Sequence, residues 1–203
     1  FGIWQLVSHM FMHGGFAHIL FNMYALWAFG TPLEQMWGRN KFLFFYFSAG
    51  IGAGLIYTAV NYYQFNSTYQ DLIQLGMNAE SIQQILNTGQ YNSEILTAIP
   101  EKKISEFFQI YHTPAVGASG AIYGVLVAFG MSYPNAKLAL IFFPVPIAAK
   151  YFIPVLIAID LFSGVTGFSL FGGGIAHFAH VGGAVIGFII MQYWKKHQFN
   201  RWN

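Results

Sequence analysis

Five apolar stretches, each close to the ~20 residues an α-helix needs to cross a bilayer, set the frame for this chain. They fall at about residues 10–29, 42–60, 115–132, 149–166 and 175–194. Only 8% of the 203 residues are charged, against roughly 25% in an ordinary soluble domain. In lipid every backbone polar group must be satisfied internally, so runs of this kind form helices. The expected class is an all-α membrane protein, a multi-pass helical bundle whose solvent is the lipid bilayer. A sixth apolar run, Leu138–Ile147, is short and interrupted by Pro144 and Pro146, and it reads as a loop or interfacial segment.

The joints between runs alternate in charge. Arg39 and Lys41 follow the first run, Lys137 follows the third, Lys150 opens the fourth, and Lys195, Lys196 and Arg201 form the tail. The positive-inside rule makes these joints cytoplasmic. The N-terminal edge and the joints at 61–114 and 163–175 then face outward. The net charge of +2 is too small to bear on nucleic acid, but no basic tract or arginine cluster is present to track phosphates, so no nucleic-acid partner is expected. The absence of cysteine excludes disulfides and thiolate metal sites.

The chain reads as a single membrane domain over 1–203 that carries an insertion at 61–112. The insertion holds Asp71, Glu80, Glu94, Glu101 and Glu106 against Lys102 and Lys103. Its segments "AESIQQIL" and "EKKISEFFQIY" have the spacing of short amphipathic helices, separated by "NTG" and Pro100. A small, water-facing helical module is expected there.

Polar side chains inside the spans are the candidates for chemistry, because they are costly in lipid and face the protein interior. The first span carries His9, His13, His18 and Asn22. Residues four apart on a helix lie about 40° apart, so His18 shares a face with Asn22, and His9 with His13. The third span opens on "VGASGAIYG", where Ser119 and Tyr123 share a face and Gly120 and Gly124 form a smooth strip. The last span opens on "IAHFAHVGGAVIG", where His177 and His180 precede a second strip, Gly183 and Gly187. Each feature alone reads more simply as helix packing or an interfacial hydrogen bond.

Together they suggest more. A serine hydroxyl becomes a nucleophile when a base lies within about 3 Å. Packing one glycine strip on the other would bring Ser119 against His180. His18, Asn22 and the Ser119 backbone N–H could donate to a developing oxyanion, and Tyr123 could hold the histidine ring. Glu34 belongs to the cytoplasmic end of the first hairpin, and Asp160 to the fourth span near its outer end. Neither is placed to complete a triad, so a Ser–His dyad is expected.

The motifs "HGGFAHILFN", "GASG" and "AHVGG", on three separate spans in this order, resemble those of the rhomboid family of intramembrane serine proteases. "LEQMWGRNKF" and "DLFSG" are also similar to loops of that family. The resemblance runs from about Trp4 to Trp194, apart from the insertion. It implies a rhomboid helical bundle, Ser119 as nucleophile, His180 as general base, and His18 and Asn22 lining the oxyanion site. Tyr123, His13 and Gly117 would support them. It implies transmembrane protein substrates, no cofactor and no metal, and residence in a bacterial plasma membrane. The family core has six spans where five are visible here, so the first is expected to be missing or to lie outside the sequence. Trp4-Gln5 stands where members often have Trp-Arg, and the insertion is longer than the usual loop.

Other classes compete. A non-catalytic rhomboid-like membrane protein binder would tolerate loss of Ser119. A histidine-lined metal transporter or metalloprotease would use His9, His13, His18, His177 and His180, but no H-E-x-x-H motif is present. Finally, the glycine-rich, uncharged segment "SGVTGFSLFGGG" before the last span is expected to act as a mobile cap.

Overall fold

The computed structural model describes residues 2–140, 143–168 and 176–199. They fall into two compact units, residues 1–57 with 115–203, and residues 58–114.

In the first unit a short helix α1 (Gln5–Ser8) and a 3-10 turn (His9–Phe11) lead into α2 (Phe16–Ala25), a π turn (Leu26–Gly30) and α3 (Thr31–Trp37). The backbone stays right-handed helical across both junctions. The first rod therefore covers residues 16–37 rather than the expected 10–29. Gly14 and Gly15 account for the late start, since paired glycines weaken a helix. Pro32 has no N–H to give the preceding turn, and the wider π turn sits directly before it. Gly38, with φ of +81°, reverses the chain into α4 (Arg39–Gln74), a continuous helix of 36 residues.

The third run begins its helix four residues later than expected. Residues 113–118 have no regular structure, and α7 (Ser119–Ser132) follows. The segment 138–147, expected to be a loop, instead belongs to an antiparallel hairpin of β1 (Lys137–Leu140) and β2 (Phe143–Ala148). Its prolines fit because both strands of a two-stranded ribbon are edges. Helices α8 (Ala149–Thr166) and α9 (His177–Phe199) complete the unit. Half of the expected cap, residues 169–174, lies outside the described residues, and its first four residues, 163–166, are the last turn of α8 rather than loop.

The core centres on Phe45, Leu33, Met10 and Val125, all fully buried. At one end Trp37 meets Trp194 edge to face, Phe45 packs tilted against both, and Lys41 Nζ lies 4.2 Å from the Trp194 ring centroid. Outside, α8 and α9 expose Tyr151, Val155, Phe162, Phe188 and Ile189. Such a surface is costly in water and neutral in lipid. Among the described residues, α4 and α8 are long and apolar enough to cross a membrane.

The second unit takes the end of α4, then α5 (Ala79–Thr88), a 3-10 turn (Ser93–Thr97) and α6 (Glu101–His112). Both expected amphipathic segments are helical. Asn78 caps α5 by accepting from Ser81 N at 2.8 Å. Leu72, Ile82, Ile85, Leu86, Ile99, Ile104 and Phe107 make a separate core, and Phe65 stacks on Phe107 at 4.5 Å. His112 Nε2 donates to the Leu86 carbonyl at 2.5 Å, and Lys103 pairs with Asp71.

Candidate active site

Ser119 is the first residue of α7. The turn that delivers it depends on Gly117, whose φ of +119° is strained for any residue with a Cβ. A methyl there would also come within 2.8 Å of His18 Nε2. The Gly117 N–H donates to the His9 carbonyl at 2.9 Å, which ties this turn to the 3-10 turn before α2. As the leading residue of a helix, Ser119 belongs to the group of N–H donors left without an intrahelical acceptor.

Close approach of α7 and α9 brings in the histidine. A Cβ on Gly183 would overlap the Gly120 carbonyl oxygen, and one on Gly187 would meet Gly124 Cα at 2.7 Å. Ala49 and Ala53 of α4 close the seam from the third side. Small residues permit this because dispersion, not hydrophobic exclusion, holds helices together in lipid. At the end of the seam His180 Nε2 lies 2.8 Å from Ser119 Oγ. Tyr123, one turn below the serine, stacks on the His180 ring at 4.3 Å and 12°.

The expectation that no carboxylate reaches this pair is corrected. Asp160 is 6% exposed, on the inner face of α8. Its Oδ1 accepts from His180 Nδ1 at 3.1 Å and from His177 Nδ1 at 2.5 Å, and its Oδ2 accepts from the Tyr123 hydroxyl. One turn on, Gly164 lies where a Cβ would come 3.3 Å from His177 Cβ, so α8 presses close to the start of α9. A carboxylate only accepts, so both Nδ1 atoms carry hydrogen. The neutral His180 ring then presents a lone pair at Nε2, and Ser119 donates to it. The arrangement is a Ser–His–Asp line, not a dyad. Sequence reasoning missed Asp160 and the link to His177. The available signal was an ionisable residue inside an apolar span, which marks function by default.

On α2, His18 Nδ1 accepts from Gly14 N at 3.3 Å, which leaves the hydrogen of the neutral ring on Nε2, the atom beside Gly117. Asn22 is 5% exposed, and one N–H of its amide bonds the His18 carbonyl at 2.9 Å, leaving the other. His13 does not share a helical face with His9, because residues 12–15 are not helical. Its ring meets His18 edge-on at 5.2 Å, and both its nitrogens are buried without a protein partner. His9 turns back on its own chain, Nδ1 bonding the Gln5 carbonyl at 2.8 Å, and its ring packs against Gly54. The structure thus gathers Ser119, His180, Tyr123, Asp160 and His177 in one connected set, brings His18 to its edge at Gly117, and leaves His9 apart.

Residues 1–196 match the family model of the Rhomboid domain. Rhomboid protein 1, mitochondrial, of Saccharomyces cerevisiae is 28% identical over 192 residues, 95% of this chain and 42% of that protein. The human presenilin-associated rhomboid-like protein, mitochondrial, is 28% identical over 194 residues, 93% of this chain and 38% of that protein. Rhomboid protease GluP of Bacillus subtilis is 46% identical over a shorter stretch of 48 residues, 24% of this chain and 10% of that protein. The chain spans about two fifths of the length of the mitochondrial relatives it matches. No solved structure matches it significantly.

Proposed function

The chain belongs to the rhomboid family, and from that premise we propose that it is an intramembrane serine endopeptidase acting on transmembrane segments of other proteins. The observation that carries this is the Ser119 Oγ to His180 Nε2 distance of 2.8 Å, with Asp160 bonded to the far side of the same ring.

Ser119 Oγ attacks the scissile carbonyl carbon as His180 Nε2 takes the hydroxyl proton. Asp160 holds the tautomer with a free lone pair at Nε2 and stabilises the imidazolium that forms. The carbonyl oxygen, now negative, accepts from the Ser119 N–H, from His18 Nε2–H and from the spare N–H of Asn22. When the tetrahedral adduct collapses, His180 gives its proton to the leaving amine. Water then repeats the sequence on the acyl-serine and frees the acid. Tyr123 keeps the imidazole plane fixed through both halves, while Gly117, Gly120, Gly124, Gly183 and Gly187 set the spacing. His13 supports His18 through their edge contact.

The helix lengths bear on depth. Fourteen residues of α7 span only about 21 Å, less than the ~30 Å hydrocarbon thickness. With its C-terminal end at one surface, its first residue, Ser119, lies below the other. Substrate helices with weakened backbone bonding would yield their carbonyls there most readily, since a regular helix keeps them engaged. The chain is a membrane protein. The relatives matched along its length are named as mitochondrial and lend no support to a bacterial plasma membrane.

The test is labelling of the purified protein by a fluorophosphonate, alongside cleavage of a transmembrane substrate in liposomes. Both are expected for the native chain and neither for Ser119→Ala. Equal cleavage by Ser119→Ala would overturn the assignment.

A further inference from the structure

Asp160 Oδ1 is met by two imidazoles, and hydrolysis uses only one. His177 Nδ1 is the nearer, at 2.5 Å against 3.1 Å for His180 Nδ1, yet His177 touches neither the serine nor the oxyanion donors in the steps above. Ligand atoms of Asp160, His177 and His180 all lie within 4.8 Å of one another. Two imidazoles and a carboxylate are the donor set of a zinc-type ion, and three protein ligands leave its fourth position open. Tetrahedral bonds of about 2.0–2.1 Å put neighbouring ligand atoms about 3.3 Å apart. Asp160 Oδ1 stands 2.5 and 3.1 Å from the two imidazole nitrogens, closer than that, so an outward movement of the carboxylate by up to about 0.8 Å would admit an ion. The imidazoles are each 12% exposed and the carboxylate 8%, which leaves a way in. Imidazole pairs suit Zn²⁺, Co²⁺, Ni²⁺ and Cu²⁺, whereas Mg²⁺ and Ca²⁺ prefer oxygen.

We propose that Asp160, His177 and His180 form a zinc-type metal site whose occupancy switches Ser119 off. The switch follows from the two nitrogens of one ring. An ion bound to His180 takes the Nδ1 lone pair, and the proton of the neutral ring then sits on Nε2. No lone pair remains there to receive the serine proton. Asp160, engaged by the ion, no longer holds the opposite tautomer. Binding therefore removes the base without moving the serine. The inhibitory effect rests on the protease assignment, but the binding does not.

Cobalt reports the site without catalysis. Ser119→Ala protein in detergent micelles, titrated with Co²⁺, is expected to show the visible absorption of a tetrahedral ion at one equivalent, displaced by Zn²⁺. The absorption should vanish when His177→Ala or His177→Asn is added. The asparagine keeps an N–H for Asp160 but offers no imidazole, and a thermal melt of each variant checks folding. In the native chain Zn²⁺ should block fluorophosphonate labelling, EDTA should restore it, and His177→Asn should need at least tenfold more Zn²⁺ for half-inhibition. Absence of the cobalt spectrum, or equal zinc sensitivity with and without His177, overturns the site. A cobalt spectrum from a chain whose native form never labels would support the site while refuting the serine hydrolase.

Discussion

Asp160 shows what a single charged side chain can do in an apolar span. Its two oxygens collect three donors, Tyr123, His177 and His180, and that convergence fixes both the tautomer and the plane of the His180 ring. Asp160→Asn keeps the volume but presents an amide that can donate to His180 Nδ1 and favour the wrong tautomer. The expected loss in kcat is about 10²–10⁴-fold, with KM little changed and the labelling rate of Ser119 falling in parallel. An unchanged labelling rate would rule out a positioning role for the carboxylate. Tyr123→Phe keeps the ring stack on His180 and removes only the hydroxyl donor. A hydrogen bond to a charged group contributes about 1.5–3 kcal/mol, only part of which the reaction feels, so a drop of about tenfold is expected. The serine, the histidine and the tyrosine were legible in the sequence because helical spacing relates Ser119 to Tyr123 and the glycine strips suggest which helices meet. Asp160 was not, because its partners lie 37, 17 and 20 residues away on other helices. Nothing local in "AIDLFSG" says which helix its carboxylate faces.

At the scale of elements, the seam between α7 and α9 decides whether those residues meet. Gly183 has the Gly120 carbonyl where its Cβ would be, and backbone cannot step aside as a flexible side chain can. Gly183→Val is expected to push the helices apart, lowering stability by about 3 kcal/mol and abolishing labelling. Gly130 makes the useful contrast, since a Cβ there meets Ile153 Cδ1 at 2.9 Å, the end of a side chain that can rotate. Gly130→Ala should therefore keep most activity, and thermal melts with labelling rates on both variants check the difference. Apolar periodicity located α8 to the residue, yet misjudged the starts of α2 and α7. Hydropathy does not register φ, and both starts are set by backbone breaks, at Gly14-Gly15 and at Pro114 with Gly117. The hairpin at 137–148 escaped for a related reason. Its prolines argue against a central strand, and no central strand exists in a ribbon of two.

On the scale of the whole molecule, the sequence separates two solvents. In the first unit the described residues turn apolar side chains such as Tyr151, Val155, Phe162 and Phe188 outward, while residues 58–114 bury Ile82, Ile85, Ile104 and Phe107 in a core of their own. We take the charged 61–112 insertion as a device for selecting substrates, since it leads in sequence directly to the turn that presents Ser119. That assignment can be separated from catalysis by damaging one core and reading the other. Phe107 is 1% exposed and stacked on Phe65, so Phe107→Ala should cost the small unit about 3–5 kcal/mol. Hydrogen exchange is expected to quicken across residues 58–114 and stay slow in α7 and α9. Fluorophosphonate, a small probe that needs only the serine and its base, should still label Ser119 at the native rate. Cleavage of a full transmembrane substrate should fall several-fold through KM. If both readouts stay native while the exchange data show the small unit open, the insertion has no part in choosing substrates, because a melted surface cannot present a docking site that an ordered one supplied.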